Sequence, residues 1–165
     1  MALEAPPASS PAVHNVMIAN TSKDTKPELI VRRMLREAGH PGYRLHWRID
    51  DEDGRYVCRP DITYPGRMVA IFVHGCFWHR CPKCDLGLPK TNVEYWKRKF
   101  EGNVERDKRK EGALLDLGWD VRTIWECEIG NDSLNIGYPL TRVVSECTQS
   151  GIDSSRRVNL EDGGP

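Results

Sequence analysis

Arg59-Pro60-Asp61-Ile62-Thr63-Tyr64 and Met68-Val69-Ala70-Ile71-Phe72-Val73-His74, separated by Pro65-Gly66-Arg67, decide the fold. From Met68 to Val73 the second run is continuously apolar, the pattern of a strand covered on both faces at the centre of a sheet. Two further strands precede it, His46 to Ile49 and Tyr56 to Ile62, around the turn Asp50-Asp51-Glu52-Asp53-Gly54, which predicts a three-stranded meander as the core. Upstream, Asp24 or Thr25 can cap a helix with Pro27 in its first turn; Leu29, Ile30, Arg33, Met34 and Ala38 follow at helical spacing before Gly39 ends it. Downstream, Thr91 and Glu94 form a capping box for a helix through Trp96 and Phe100, a further helix from about Asn103 closes at Gly118, and Trp119 to Trp125 reads as a last strand. This order predicts an α/β sandwich, a central mixed sheet flanked by helices.

The chain has 165 residues, enough for one domain with a substantial core. No apolar run approaches the ~18 residues of a membrane-spanning helix, so no membrane role is expected. Met1 to Val13 has three prolines, no basic cluster and no apolar stretch, unlike a secretory signal or transit peptide, and the expected address is cytoplasmic. Residues 1–16, rich in Ala, Pro and Ser at their start, are expected to be a disordered arm, 17–150 the folded domain, and 151–165 a disordered tail. Within 17–150, only a weak helix at Leu140 to Cys147 follows Gly130.

The formal charges cancel at 24 basic and 24 acidic residues, but residues 1–125 carry 21 basic against 17 acidic. Most of the excess lies between Lys97 and Lys110, with seven Lys or Arg and three Asp or Glu. Such a run can neutralise several phosphates along one helix face; a solvated face with internal ion pairs is the alternative.

Of six cysteines, four separate by spacing from Cys58 and Cys147, which read as ordinary thiols. Cys81-Pro82-Lys83-Cys84 points two thiolates at one centre, Cys76 can reach it, and Cys127 follows the last strand as a fourth ligand, which predicts a closed, structural zinc site. His79 is a competing ligand. A redox Cys-x-x-Cys would need a βαβ context that these Pro/Gly-rich surroundings do not supply.

An aspartate at a strand terminus, facing the next strand across a hairpin, can hold a divalent metal against a phosphate. Asp61 is so placed, although Pro-Asp is common and a capped turn would also explain it. The pattern resembles the PD-(D/E)xK nuclease arrangement, with Phe72 and His74 where that arrangement has a second acid and a lysine. The base must then be another group, and His74 and His79 are the nearest imidazoles, a group that titrates at about 6.5 when unperturbed.

His74-Gly75-Cys76-Phe77-Trp78-His79, with Pro60-Asp61 upstream and Asn103-Val104-Glu105-Arg106-Asp107 and Trp125-Glu126-Cys127 downstream, closely resembles the very-short-patch repair (Vsr) mismatch endonucleases over about Met17 to Glu128. These enzymes nick DNA 5′ of the thymine in a T:G mismatch left by deamination of 5-methylcytosine. They use Mg²⁺ for cleavage and a separate structural Zn²⁺. The resemblance implies a PD-(D/E)xK nuclease-like sandwich in which Asp61 binds magnesium with the backbone carbonyl of Val73. It implies His79 as the base, Asp107 as its support, and His74 and Glu28 as assisting groups. Zinc ligands match at Cys76, Cys81, Cys84 and Cys127, with Cys81 where the family's best-known pattern has His and the third ligand displaced by one position. Phe77, Trp78 and Trp96 match side chains that wedge into the base stack, and Met17 matches one entering from the minor-groove side. Exposure of Phe77 and Trp78 in the free protein is the testable expectation. Lys99 and Asn103 match positions that read the T:G pair. Two positions depart from the family, with Val73 in place of Thr and Asn20 in place of Ile. The implied partner is double-stranded DNA with a T:G mismatch, at the nucleoid during repair, with other mismatch-repair proteins as further partners. A monomer is expected, since a nick needs one active site. Two other functions fit parts of the pattern: a restriction-type nuclease on undamaged duplex, which needs no aromatic wedge, and a zinc-stabilised DNA-binding module, which needs no Asp61 and His79 together.

Overall fold

The structure, a computed structural model, describes residues 23–129 together with residues 6, 7 and 11. Met17, Asn20, Cys147, the Leu140 to Cys147 helix and the expected disordered segments, apart from residues 6, 7 and 11, lie outside the described residues.

Helix α1 (Lys26–Glu37) starts where the sequence predicts. Thr25 is its N-cap and forms a reciprocal capping box with Glu28. Gly39 takes φ +82° just past its end, a left-handed conformation that glycine adopts at no steric cost. Among the described residues six strands follow in two sheets: β1 (Arg44–Leu45), β2 (Ile49–Asp50), β3 (Tyr56–Cys58), β4 (Ile62–Tyr64), β5 (Val69–His74) and, after helix α2 (Val93–Asp116), β6 (Asp120–Trp125). The main sheet has the order β1-β4-β5-β6, and β2-β3 form a separate hairpin.

The predicted meander is therefore corrected. The run His46 to Ile49 is broken because His46 adopts φ +48°, and Tyr56 to Ile62 is split by Pro60, which has no N–H for a ladder. β4 pairs antiparallel with β5, and β5 parallel with β6, so the sheet is mixed as predicted. The two helices expected after Thr91 are one. Gly102 lies inside α2, and the N-cap is Asn92, in a left-handed conformation with no side-chain cap bond, in place of the Thr91–Glu94 box. An isolated Gly costs ~1 kcal/mol in a helix, too little to break one anchored by Trp96, Phe100, Asn103 and Leu114, all buried.

Alternation along β5 assigns its two faces. Val69, Ile71 and Val73 join Val31, Met34 and Leu35 of α1 in one core cluster. Ala70 and Phe72 join Ile49, Cys58 and Leu114 in a second, on the α2 side. The sheet is thus a middle layer between two helices, and every residue of β5 is buried, as a continuous apolar run requires.

Topology then concentrates chain ends. β4 begins beside the C-terminal end of β5 because the two run antiparallel. β6 ends there too, with Trp125 in register with His74. β1 pairs with β4 and ends there as well, and the His46 N–H donates to the Asp61 carbonyl at 3.3 Å.

Candidate active site

Asp61 sits at the start of β4, not at the end of the preceding strand. Its Oδ2 accepts the Val73 N–H at 2.8 Å, and no described residue bonds Oδ1. Burial raises the Asp61 carboxyl above its ordinary range, the Val73 N–H works against this, and the charge of Glu28 adds to it. A carboxylate in that condition gains more from an adjacent cation than an exposed one does.

His79 lies in the turn after β5. Its Nδ1 is 2.5 Å from Asp107 Oδ2 on α2. This bond makes Nδ1 the protonated nitrogen and leaves the Nε2 lone pair free to accept a proton. The His79 ring stacks on His74, with centroids 4.0 Å apart and planes 8° from parallel. His74 is held edge-on by Trp125 at 5.3 Å. Burial, then the neighbouring His79, pushes the His74 imidazole down to about 4, so it is neutral at physiological pH. Asp107 goes the other way: burial opposes it, but the His79 hydrogen bond and charge hold its carboxyl below the ordinary value. Two imidazoles and a carboxylate thus form one array.

Glu28, buried in the first turn of α1, faces this site from the other helix. Its Oε2 accepts from Arg32 Nη2 at 2.8 Å and lies 4.0 Å from His46 Nε2. Arg32 also pairs with Asp24. The ligating atoms of Asp24, Glu28 and His46 lie within 4.8 Å of one another, and the Arg32 guanidinium bridges the two acids, so the group is an ion-pair network that fixes Glu28. Sequence reasoning missed His46, Arg32 and Asp24. Only the β1–β4 pairing brings His46 to Asp61, and the sole sequence signal for Arg32 is its position one turn after Glu28.

The four cysteines chosen by spacing come together. Cys76, Cys81, Cys84 and Cys127 have all their sulfurs within 4.8 Å of one another, with Cys81 and Cys127 3.7 Å apart. A tetrahedral centre with metal–sulfur bonds of about 2.3 Å would place sulfurs ~3.8 Å apart, so the donor set fits. Burial opposes thiolate formation at Cys81, but the backbone N–H groups of Lys83 and Cys84 outweigh it and hold that thiol below its ordinary value. Glu126 Oε2 accepts the Cys76 N–H at 3.2 Å, tying the loop after β5 to the turn after β6. His79, bonded to Asp107, stands apart from the cysteines.

The aromatic residues are less open than expected. Phe77 and Trp78 are half-buried, not exposed, and Trp96 is 8% exposed. They form a cluster with Phe100, in which Phe77 lies edge-on to Phe100 at 5.1 Å and Trp78 is 6.0 Å from Trp96. Two large rings on one short loop and two on α2 shield one another from water more than they protrude. Trp96 accordingly backs Phe77 and Trp78. Asn103 is buried: its Nδ2 donates to the Trp78 carbonyl at 3.0 Å, and its Oδ1 accepts from Arg106. Its amide therefore fixes the Trp78 loop, while Lys99, half-buried one turn earlier, makes no such bond. Cys58 is fully buried, which pushes its thiol up to about 11.

Among the described residues no helix is long and apolar enough to cross a membrane. The sequence profile of the family described as DNA mismatch endonuclease Vsr matches residues 11–85. A Type II nicking enzyme of Xanthomonas oryzae, V.XorIIP, is 45% identical over 111 residues, covering 67% of this chain and 76% of its own. V.NmeAIP, a Type II nicking enzyme of Neisseria meningitidis, is 39% identical over 121 residues, covering 72% and 80%. The DNA mismatch endonuclease Vsr of Escherichia coli is 35% identical over 113 residues, covering 68% of each chain. A half-buried aspartate at the end of the sheet, a carboxylate-supported histidine and relatives matched over two thirds of their length converge, and the chain belongs to the Vsr family of endonucleases.

Proposed function

We propose that the protein nicks one strand of duplex DNA on the 5′ side of the thymine in a T:G mismatch, initiating very-short-patch repair. The observation that carries this reading is the His79–Asp107 pair, stacked on neutral His74, at the same sheet end as Asp61. A non-catalytic module has no use for that array. The E. coli relative is named a DNA mismatch endonuclease, which supports the mismatch as substrate.

Asp61 Oδ1 and the Val73 carbonyl would hold Mg²⁺. When bound, the ion supplies charge neutralisation at the phosphate and acidifies coordinated water. His79 Nε2 takes a proton from the attacking water, and Asp107 stabilises the imidazolium so formed. The water oxygen bonds to phosphorus in line as the bond to the 3′-oxygen breaks, and that oxygen takes a proton from solvent, leaving 5′-phosphate and 3′-hydroxyl ends. Neutral His74 supports the His79 ring without adding charge, and Glu28, fixed by Arg32, faces the water side.

Zn²⁺ in the four-cysteine cluster would be structural, since a closed thiolate set leaves no position for water. Phe77 and Trp78 would enter the base stack, braced by Trp96. Lys99 would address the mismatched pair, Asn103 would set the loop that carries the wedge, and Met17 would approach from the minor groove. The enzyme would act as a monomer in the cytoplasm, at the nucleoid, alongside other mismatch-repair proteins.

A second reading is sequence-specific nicking of paired duplex, favoured by relatives named Type II nicking enzymes. A nicking assay on T:G, other mismatched and fully paired duplexes, with Mg²⁺ or EDTA, separates the two. Mg²⁺-dependent nicking confined to the T:G duplex supports the proposal, cleavage of paired DNA supports the second reading, and no cleavage of any duplex rejects both.

A further inference from the structure

Beside the His79–Asp107 pair opens a groove of about 750 Å³, lined by Arg106, Asp107, Arg109 and Lys110 of α2, by His79, and by Tyr56 and Val57 of the β2-β3 hairpin. Asn103, Asp107, Lys110 and Leu114 recur at four-, three- and four-residue intervals, so they line one face of the helix. Asn103 and Leu114 are buried on that face and Asp107 is bonded to His79. Lys110 is the unsatisfied member. It is half-buried, yet no hydrogen bond or ion pair joins it to any described residue. Its charge nevertheless reaches His74, Asp107 and Cys58.

Holding an ammonium partly out of water without a counter-charge is unfavourable, and the carboxylate that lines the groove, Asp107, is already engaged. Asp107 is bonded to His79, Asp50 to Arg48 and Asp53 to Arg55, while Asp51 accepts backbone N–H groups in its own turn. Arg109 is exposed without a partner among the described residues, and Arg106 spends one nitrogen on Asn103. Three cations therefore converge on a groove whose lining carboxylate, Asp107, is committed to His79. The far wall, Tyr56, is 55% exposed with the Arg48 guanidinium 5.4 Å from its ring centre.

We infer that Lys110, with Arg106 and Arg109, seats a backbone phosphate of the cleaved DNA strand next to the scissile one, because an unpaired half-buried cation borders the groove that opens onto His79. The inference rests on the DNA reading above and names where the strand lies. Lys110 is then a positioning residue: it sets the phosphodiester backbone in register with His79 and carries no base information.

The test is duplex binding by full-length protein with Ca²⁺ replacing Mg²⁺, followed by anisotropy over a KCl series, on T:G and paired duplexes of equal length. Lys110→Met should weaken both severalfold, lower the slope of log K against log salt by about 1, and leave the melting temperature unchanged or raised; Lys110→Arg should restore the slope. In nicking with Mg²⁺, Lys110→Met should raise KM with kcat retained. An unchanged salt slope, a loss confined to the T:G duplex, or a fall in melting temperature that tracks the loss of binding overturns the seat. Wild-type binding without nicking would reject the endonuclease reading and leave the seat standing.

Discussion

Replacing Asp107 by Asn tests the division of labour in the histidine array. Asp107 Oδ2 lies 2.5 Å from His79 Nδ1, with the two side chains 17% and 28% exposed. Asn keeps the size but removes the charge that stabilises the imidazolium, and its amide nitrogen can instead donate to Nδ1 and move the imidazole proton to Nε2, where it blocks the base. A hydrogen bond to a charged group contributes ~1.5–3 kcal/mol. At 1.36 kcal/mol per factor of ten, that corresponds to a rate loss of about 10- to 150-fold. Because both groups retain some water contact, the lower part of that range is expected, about 10- to 50-fold. The assay is single-turnover nicking of an end-labelled T:G duplex at saturating enzyme, so that binding drops out of the rate. Affinity measured separately in Ca²⁺ should stay within about threefold of wild type. A wild-type rate, or an affinity loss that accounts for the whole rate loss, would refute the role assigned to Asp107.

Five further outcomes follow from the same geometry. Asp107 is held below the ordinary carboxylate value, so its stabilisation is present above pH ~3.9 and is lost as pH falls through its folded value; Asp107→Asn should lower the melting temperature at pH 7, with the gap to wild type closing in acid. Asp61 has the opposite sign: its folded value is raised, so the ionised form costs stability at neutral pH, and Asp61→Asn without added magnesium should melt roughly 2–5 °C higher at pH 7, the difference shrinking as pH falls through the folded Asp61 value. Cys127→Ser should release bound zinc, counted per chain by metal analysis, and destabilise the fold by ~2 kcal/mol or more; a fully loaded, equally stable variant would remove Cys127 from the ligand set. Trp96→Ala should cost ~3–5 kcal/mol of stability. Half-buried Trp78 should lose less stability as Ala but about tenfold in T:G binding over paired DNA, the effect of one stacked base.

What the sequence disclosed follows from which interactions are local. The α1 cap, the buried run of β5 and the cysteine spacing are short-range patterns, and all three appear in the structure where they were read. Cys127 joined the cluster because β6 returns parallel to β5, as the order of elements implies. Long-range and competing terms defeated the rest. The Thr91–Glu94 signature lost to Asn92, and Gly102 did not interrupt α2, because packing of four buried residues outweighs local propensity. His46 was invisible because its relation to Asp61 exists only through strand pairing. Asn103, read as a base-contacting head, is turned inward by the Trp78 carbonyl, a contact between elements 25 residues apart. Lys110 was counted as one charge in a basic run; only the helix register distinguishes it from its solvated neighbours.

The central claim is that Asp61 and His79 perform one hydrolysis on one strand. Its most direct test is to compare wild type, Asp61→Asn and His79→Gln on a T:G duplex labelled on each strand in turn, with Mg²⁺ present. Wild type should give a single product, cut 5′ of the mismatched thymine and carrying a 5′-phosphate, while each variant binds the duplex as wild type does yet cuts at least about 100-fold more slowly. Cleavage by either variant at the wild-type rate, or equal cutting of both strands, would contradict the account.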